Sequence, residues 1–399
     1  MHRARYEQRQ DLQRADFPGA GPPARLLKNC RRIAAALALV ILGVSPATAS
    51  AQGSTSSVYS PLNCPGVTKL SAHVHVRSTG TLSYNSRPIK FTGYTFYPAD
   101  DGGTPAWRQT GFTTYIDKTL ANEAYLGANL VRPTDQFDNF TTGQKWDDRT
   151  VWANMDHLVC QSAQQGTFIE LDLSFMAHVL SSQGKNVLDA ANWLPMIDAV
   201  AKHYAGWQSI AWVSFYGEPA YPTTAAQVTT LQAFYTTLLG EYHKYDPARA
   251  LTPGGLTHTM YGYPGWWQTV ASVPHANIFA YKVYDLDDEN YLPTIYGWTS
   301  THGKALINEE FGMPQSQGDG TWSGQTFNGL QVDRADFYSW NYQQQSNGRT
   351  QASIFWNDSC LVGPTNYDVN PGAGPAVIAV IRANAAVHPT SSKWSGWSC

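Results

Sequence analysis

The sequence predicts an α/β protein: a (β/α)8 barrel forming a single domain, with a short β-hairpin ahead of it. Three observations lead there. Strand signals recur eight times from Ile89 onward, with amphipathic helical stretches between them. Two strands run into a glutamate and then a breaker, as buried parallel strands do where they open into a working loop: residues 209–215 lead into Tyr216-Gly217-Glu218-Pro219, and residues 304–309 into Glu310-Phe311-Gly312. No internal repeat, low-complexity block or linker divides this region.

Taken in order, the chain opens on residues 1–51, which read as a signal peptide with a long leader. Arg31-Arg32 precede an apolar run over 33–44, and small residues at 46–51 offer a cleavage site. The run is too short to span a bilayer as a mature helix. Residues 52–87 form a Ser/Thr/Pro-rich tether and the hairpin, with alternation over 67–84 and Asn85-Ser86-Arg87 as a turn. His73 and His75 share one strand face; without a third ligand nearby, a solvated face is the better reading than a metal site. The barrel domain is 88–399. Its strands are expected at 89–96, 128–132, 167–173, 209–215, 250–253, 277–284, 304–309 and 351–356. Helical stretches are expected at 115–125, 152–165, 193–204, 225–245, 333–345 and 374–385. The fifth strand and the segment holding Trp266-Trp267 have the weakest pattern.

The formal net charge is only −3, which favours neither nucleic acid nor an anionic membrane as a partner. Aromatic residues are abundant, with 14 Trp and 22 Tyr, a supply suited to stacking on sugar faces as well as to core packing. After the signal the chain keeps Cys64, Cys160, Cys360 and Cys399, an even number without a C-x-x-C pair, so two disulfides fit better than a metal site. Of three possible connectivities, Cys64 with Cys160 and Cys360 with Cys399 would tie both ends of the domain to its body.

The chemistry follows from the strand ends. Barrel active sites lie at the carboxyl ends of the strands, and Glu218 and Glu310 end strands four and seven, which face one another across the mouth. Paired carboxylates in that position suggest glycoside chemistry. Strict alternation puts Leu306, Asn308 and Glu310 on one face of strand seven and Ile307 and Glu309 on the other, so only one of the two adjacent glutamates should face the pocket, with Asn308 beside it. Trp107, Trp146 and Trp298 are expected in loops, as sugar subsites or as packing. The acidic run 285–289 is expected as a solvated loop; its spacing fits no calcium loop. The signatures H-E-x-x-H, G-x-S-x-G and G-x-x-x-x-G-K do not occur, and neither a cofactor nor a metal is implied.

The chain resembles the clan A glycoside hydrolases, and within them family five, the cellulase and β-mannanase group, over about residues 88 to 388. Gly127-Ala-Asn-Leu-Val-Arg132-Pro133 looks like the family's second-strand motif, which implies that Arg132 supports the nucleophile. Tyr216-Gly217-Glu218-Pro219 is similar to the family's N-E-P and implies Glu218 as acid/base. Glu309-Glu310-Phe311-Gly312 is similar to the nucleophile strand and implies Glu310 as nucleophile. Tyr284, closing Lys282-Val283-Tyr284, matches the tyrosine that hydrogen-bonds the nucleophile, and Trp356 matches the aromatic platform of strand eight. The chain departs from the pattern where Gly217 replaces an asparagine that contacts the sugar, where Lys282 replaces a histidine, and at Ser174, near where a histidine is common. The resemblance implies a retaining endo-β-glycanase acting on β-1,4-linked mannan or glucan, with polysaccharide or oligosaccharide as partner; the signal peptide adds that it is secreted with no membrane in the mature form, and a monomer is expected. An exo-acting β-glycosidase, a transglycosidase and a non-catalytic polysaccharide-binding barrel stay open.

Overall fold

A computed structural model of the chain describes residues 60–97, 106–134, 145–284, 286–313, 326–327, 330–331, 334–358, 369 and 374–387. The expected signal peptide, Cys360 and Cys399 lie outside the described residues.

The described chain begins as a strap. Cys64 is bonded to Cys160, Leu62 N–H donates to His203 O at 2.8 Å, and Trp207 Nε1–H donates to Leu62 O at 3.1 Å. The first expected disulfide is therefore present. Three short strands follow, β1 (His75–Val76), β2 (Leu82–Tyr84) and β3 (Arg87–Pro88), paired antiparallel in the order β1-β2-β3. Asn85 (φ 49°) and Ser86 (φ 61°) are both left-handed, as a two-residue hairpin turn requires. The expected hairpin thus extends to a three-stranded meander.

The body is the expected barrel. Its strands are β4 (Phe91–Phe96), β5 (Leu130–Pro133), β6 (Phe168–Asp172), β7 (Ile210–Ser214), β8 (Ala250–Thr252), β9 (Ile278–Val283), β10 (Ala305–Phe311) and, after a small antiparallel pair β11 (Thr326–Phe327) and β12 (Leu330–Gln331), β13 (Ala352–Asp358). They form one parallel sheet, order β8-β7-β6-β5-β4-β13-β10-β9. The seam between β8 and β9 is nearly closed by bridges from Leu251 to Ala276 and from Leu256 to Tyr281. The helices are α1 (Phe112–Leu126), α2 (Arg149–Gln165), α3 (Phe175–Ser182), α4 (Leu194–Tyr204), α5 (Ala225–His243), α6 (Trp266–Ala271), α7 (Leu286–Thr301), α8 (Arg334–Ser346) and α9 (Pro375–Val387). Local chemistry sets their ends. Thr224 and Gln227 form a reciprocal capping box at the start of α5, and left-handed Gly127 and Gly166 stop α1 and α2.

Helix α7 corrects the expectation of a loop. Of the acidic run, Asp285 lies outside the described residues, whereas Asp288 and Glu289 are buried, and the Asp288 carboxylate accepts the N–H groups of Tyr284 and His258, each at 3.2 Å, and the Tyr281 hydroxyl at 3.0 Å. A carboxylate in the first helical turn satisfies otherwise orphaned donors there. None of the described helices is long and apolar enough to cross a membrane.

Alternation along each strand separates two apolar regions. Outward residues pack under the helices, whereas Phe91, Leu130, Phe168, Trp212 and Ile278 fill the barrel's amino-terminal end, where Leu82 and Val74 of the meander cap them. The Phe91 ring meets those of Phe168 and Trp212, each at 5.3 Å, edge to face. The carboxyl-terminal end is lined instead by charge.

Candidate active site

Strand β10 builds the centre of the charged end by breaking its own alternation. Ala305 and Ile307 point into the barrel and Leu306 outward. Against β9 the register then shifts between Asn308 and Glu310. Such a bulge lets two successive residues face the same side. Glu309 accepts the Ser214 hydroxyl at 2.8 Å inside the barrel, Glu310 is inside as well, and Phe311 returns outward to meet the Tyr338 ring edge to face at 5.1 Å. Two expectations are overturned: both glutamates face inward, and Asn308 does not share Glu310's face. The Asn308 amide lies behind the barrel wall, 2.7 Å from the Asn341 amide of α8, where it fastens strand to helix.

Glu310 is held by three donors. Arg132 Nη1 donates to Oε2 at 2.6 Å, Lys282 Nζ lies 2.9 Å from the same oxygen, and the Tyr284 hydroxyl donates to Oε1. Burial alone would push this carboxyl up; Lys282, Arg132 and the Tyr284 hydrogen bond outweigh it and bring the group down to about 2. Arg132, only 2% exposed, also pairs with Asp172 at 2.7 Å and lies 3.8 Å from Glu309. Burial opposes its charge, but Asp172, Glu309 and Glu310 hold it ionised well above the usual range.

Glu218 stands across the mouth. Its backbone is left-handed (φ 52°), a conformation that costs a non-glycine residue on the order of 1 kcal/mol or more and persists only where neighbours enforce it. The neighbours here are specific: Glu218 N–H donates to Gly255 O at 2.8 Å, Gly217 N–H to Ser174 Oγ at 3.0 Å, and Tyr235 OH to Tyr216 O at 2.6 Å. Lys282 Nζ lies 3.3 Å from Glu218 Oε1. One ammonium therefore touches both glutamates, and the two carboxylate oxygens can be no further apart than those two contacts combined. Burial works against the Lys282 charge, while Glu218 and Glu310 raise its proton affinity above the ordinary lysine value.

Beneath this layer lies a group that alternation could have located. Glu170 sits two residues before Asp172 on β6, on the same inward face, and is fully buried. Burial, and then the neighbouring Glu309 carboxylate, push its carboxyl well above the usual range. Gly255 closes the space from the side: a Cβ there would come within 1.8 Å of Glu309 Oε2 and 2.6 Å of Lys282 Cε.

The structure thus brings together Glu218, Glu310, Arg132, Tyr284 and Lys282, and adds Asp172, Glu170, Glu309, Ser214 and Gly255. Trp356 is half-buried on β13, its ring 4.9 Å from that of Tyr97. Trp298 is not in a loop at the mouth. It lies on α7, packed edge-on to Trp267 at 5.3 Å and stacked on His302 at 4.2 Å, so the expected role in substrate contact is withdrawn. Trp107 is fully buried and donates to Thr134 O at 3.0 Å, a core residue. Trp146 is partly buried against the core, and its carbonyl accepts Trp152 Nε1–H at 3.0 Å. Among the described residues, no three His, Cys, Asp or Glu side chains are grouped to hold a metal ion.

No protein-family model matches the chain, and no curated protein sequence does. Solved structures do. A glycoside hydrolase family 5 mannosidase from Rhizomucor miehei superposes with a TM-score of 0.58 at 13% identity, covering 79% of this chain and 97% of that one. The endo-β-1,4-mannanase from Thermotoga petrophila gives 0.58 at 14% identity over 78% and 79% of the two chains. A Bifidobacterium dentium β-glucuronidase, bound to coumarin-3-O-glucuronide, gives 0.53 at 14% over 82% of this chain and 50% of that one. The fold that carries Glu218 and Glu310 is therefore the (β/α)8 barrel also found in these three sugar-cleaving enzymes.

Proposed function

We propose that the chain is a clan A, family-five-like glycoside hydrolase: a secreted, retaining endo-β-glycanase that cleaves β-1,4-linked mannan or glucan. The observation that carries this reading is the single ammonium of Lys282, 2.9 Å from Glu310 and 3.3 Å from Glu218. Two carboxylates within reach of one cation fit the close spacing of a retaining enzyme, roughly 5–5.5 Å, better than the roughly 6.5–9.5 Å with which an inverting enzyme admits a water, which supports double displacement.

In the first step a Glu310 oxygen attacks the anomeric carbon, the glycosidic C–O bond breaks, and the departing oxygen takes a proton from Glu218. In the second, Glu218 as carboxylate takes a proton from water, whose oxygen attacks the same carbon and releases Glu310. Configuration is retained and Glu218 ends protonated again. Arg132, Tyr284 and Lys282 keep Glu310 charged at any working pH, as a nucleophile requires. Lys282 pairs with Glu218 in the resting site, so that contact must loosen as substrate enters and the leaving oxygen approaches Glu218.

A non-catalytic polysaccharide-binding barrel is the second reading, favoured by Gly217. No side chain there offers a sugar the hydrogen bond that strengthens in the transition state, and a Cβ at that position would meet Gly255 and Ser174 only at ordinary contact distances. Exo action or transglycosylation on the same barrel would differ in which end of the cleft is blocked. The experiment is product release from soluble galactomannan, glucomannan, carboxymethyl-cellulose and mixed-linkage glucan, with Glu310→Ala alongside and the anomer of the first product read by NMR. Oligosaccharides of retained configuration, lost in the variant, are the expected result. Binding without release from any polymer would favour the second reading, and monosaccharide release alone would favour exo action.

A further inference from the structure

Most large aromatic side chains of this barrel are buried, and the exceptions are not scattered. Among the described residues four large apolar side chains are exposed, and three of them, Tyr221 (48%), Tyr261 (45%) and Tyr263 (39%), belong to the two loops that follow β7 and β8. Tyr221 comes three residues after Glu218. The second loop begins at Gly255, whose carbonyl accepts Glu218 N–H, and reaches Tyr261 through His258. The Tyr221 and Tyr261 rings are 6.3 Å apart, and the His258 ring is 5.8 Å from Tyr261.

The loops that display these rings are fastened. Tyr263 N–H donates to Pro222 O at 2.6 Å, Tyr261 N–H to His258 O at 2.9 Å, and the buried indole of Trp266 donates to Tyr261 O at 2.9 Å. Gly262 takes φ 83° and passes so close to the first loop that a Cβ would come 2.6 Å from Pro222 O. His258, itself left-handed at φ 49°, is anchored through its N–H to buried Asp288 at 3.2 Å. Aromatic rings held in water by a rigid backbone expose apolar surface that a partner with a flat apolar face can cover at little ordering cost.

We infer that Tyr221, Tyr261 and Tyr263 form a stacking shelf for the leaving-group side of a β-linked polysaccharide, beyond the bond that is cut. The side follows from Glu218: the residue that protonates the departing oxygen borders the part of the chain that departs, and the shelf continues from Glu218 along both loops. The inference rests on the proposed glycosidase reading and deepens it, because sugar units held beyond the cleavage point are what an endo-acting enzyme uses.

The test compares long and short substrates in Tyr261→Ala and Tyr221→Ala, with Tyr261→Trp as the variant that preserves stacking. For mannohexaose or cellohexaose, whichever the wild type cleaves, each alanine should raise KM about five- to tenfold, and tryptophan should leave it within about twofold. For a 4-nitrophenyl β-mannoside or β-glucoside, whose leaving group is too short to reach the shelf, kcat/KM should stay within about twofold. Equal losses on both substrates, or none on either, would overturn the shelf. Electrophoresis through gels containing galactomannan, glucomannan or mixed-linkage glucan separates this inference from the proposed catalysis. If no polymer is cleaved, wild-type retardation abolished by the alanines upholds the shelf while the glycosidase reading falls. Absence of wild-type retardation in every gel, or retardation unchanged by the alanines, overturns the shelf itself.

Discussion

The two ends of one barrel solve opposite problems. At the amino-terminal end Phe91, Phe168 and Trp212 interlock under a three-stranded cap, and the buried Arg249–Asp246 pair at the foot of β7 is a single matched pair rather than a network. At the other end, on the same strands a few residues on, Arg132, Lys282, Asp172, Glu309 and Glu310 share a nearly dry space in which each charge is tolerated only because its neighbours oppose it. A packed apolar layer contributes stability in proportion to the surface it removes from water, whereas a buried charge network is weak evidence for stability and strong evidence for a task. The barrel is anchored from below so that it can hold an unfavourable arrangement above.

The sharpest way to break this contrast is to remove charge from one end and volume from the other. Glu310→Gln should lower kcat/KM by roughly a thousandfold or more while circular dichroism at pH 7 stays native. The same variant reports on acid stability. In the wild type the Glu310 carboxyl is brought below its unfolded value to about 2, so its contribution is complete above the unfolded value and is lost as pH falls toward 2; urea midpoints should therefore drop more steeply between about pH 4.5 and 2 in the wild type than in Glu310→Gln. At the other end, Phe168→Ala should cost about 3–5 kcal/mol of unfolding free energy while the folded fraction keeps kcat within about twofold. Activity lost in proportion to neither population nor charge would blur the contrast.

Two smaller effects sharpen it. Cys64→Ser with Cys160→Ser should destabilise by about 2–5 kcal/mol, because the bridge closes a loop spanning 96 positions, and should leave the substrate profile unchanged. Glu170→Gln should act in the other direction. A carboxyl whose proton affinity is raised by folding penalises the fold once pH exceeds its unfolded value, so the amide should gain about 1–2 kcal/mol at pH 7 and nothing below about pH 4, measured by denaturant titration at both pH values. A loss at pH 7 would mean that Glu170 is ionised and paired.

Much of this was legible in the chain. Glu218 and Glu310 stand at strand ends recognisable from apolar runs closed by Pro219 and Gly312, and Arg132 closes a third such run. What the pattern could not convey was a local exception. Period-two counting along 305–311 assigns Asn308 to the pocket and Glu309 to the wall, and the single bulge before Glu310 reverses both. Trp298 was misplaced because the acidic run at 285–289 read as a loop, although Asp288 serves as an internal cap for its neighbours. Glu170 followed from counting back from Asp172, but an acidic residue within a short apolar strand draws no notice until its partner across the barrel is known.

Gly255 bears on how this chain can drift. With Glu309 Oε2 and Lys282 Cε both in the space a Cβ would take, positions 255, 282 and 309 are expected to change together or not at all. A shorter side chain at 282 alone would not open room for alanine at 255, because Glu309 Oε2 would still stand 1.8 Å from the added Cβ. Remote kin too divergent to align by overall similarity should therefore be recognisable by a joint signature, lysine near the end of the sixth barrel strand and glutamate near the end of the seventh with glycine after the fifth, and only lineages that have lost both of those side chains should show the glycine relaxed.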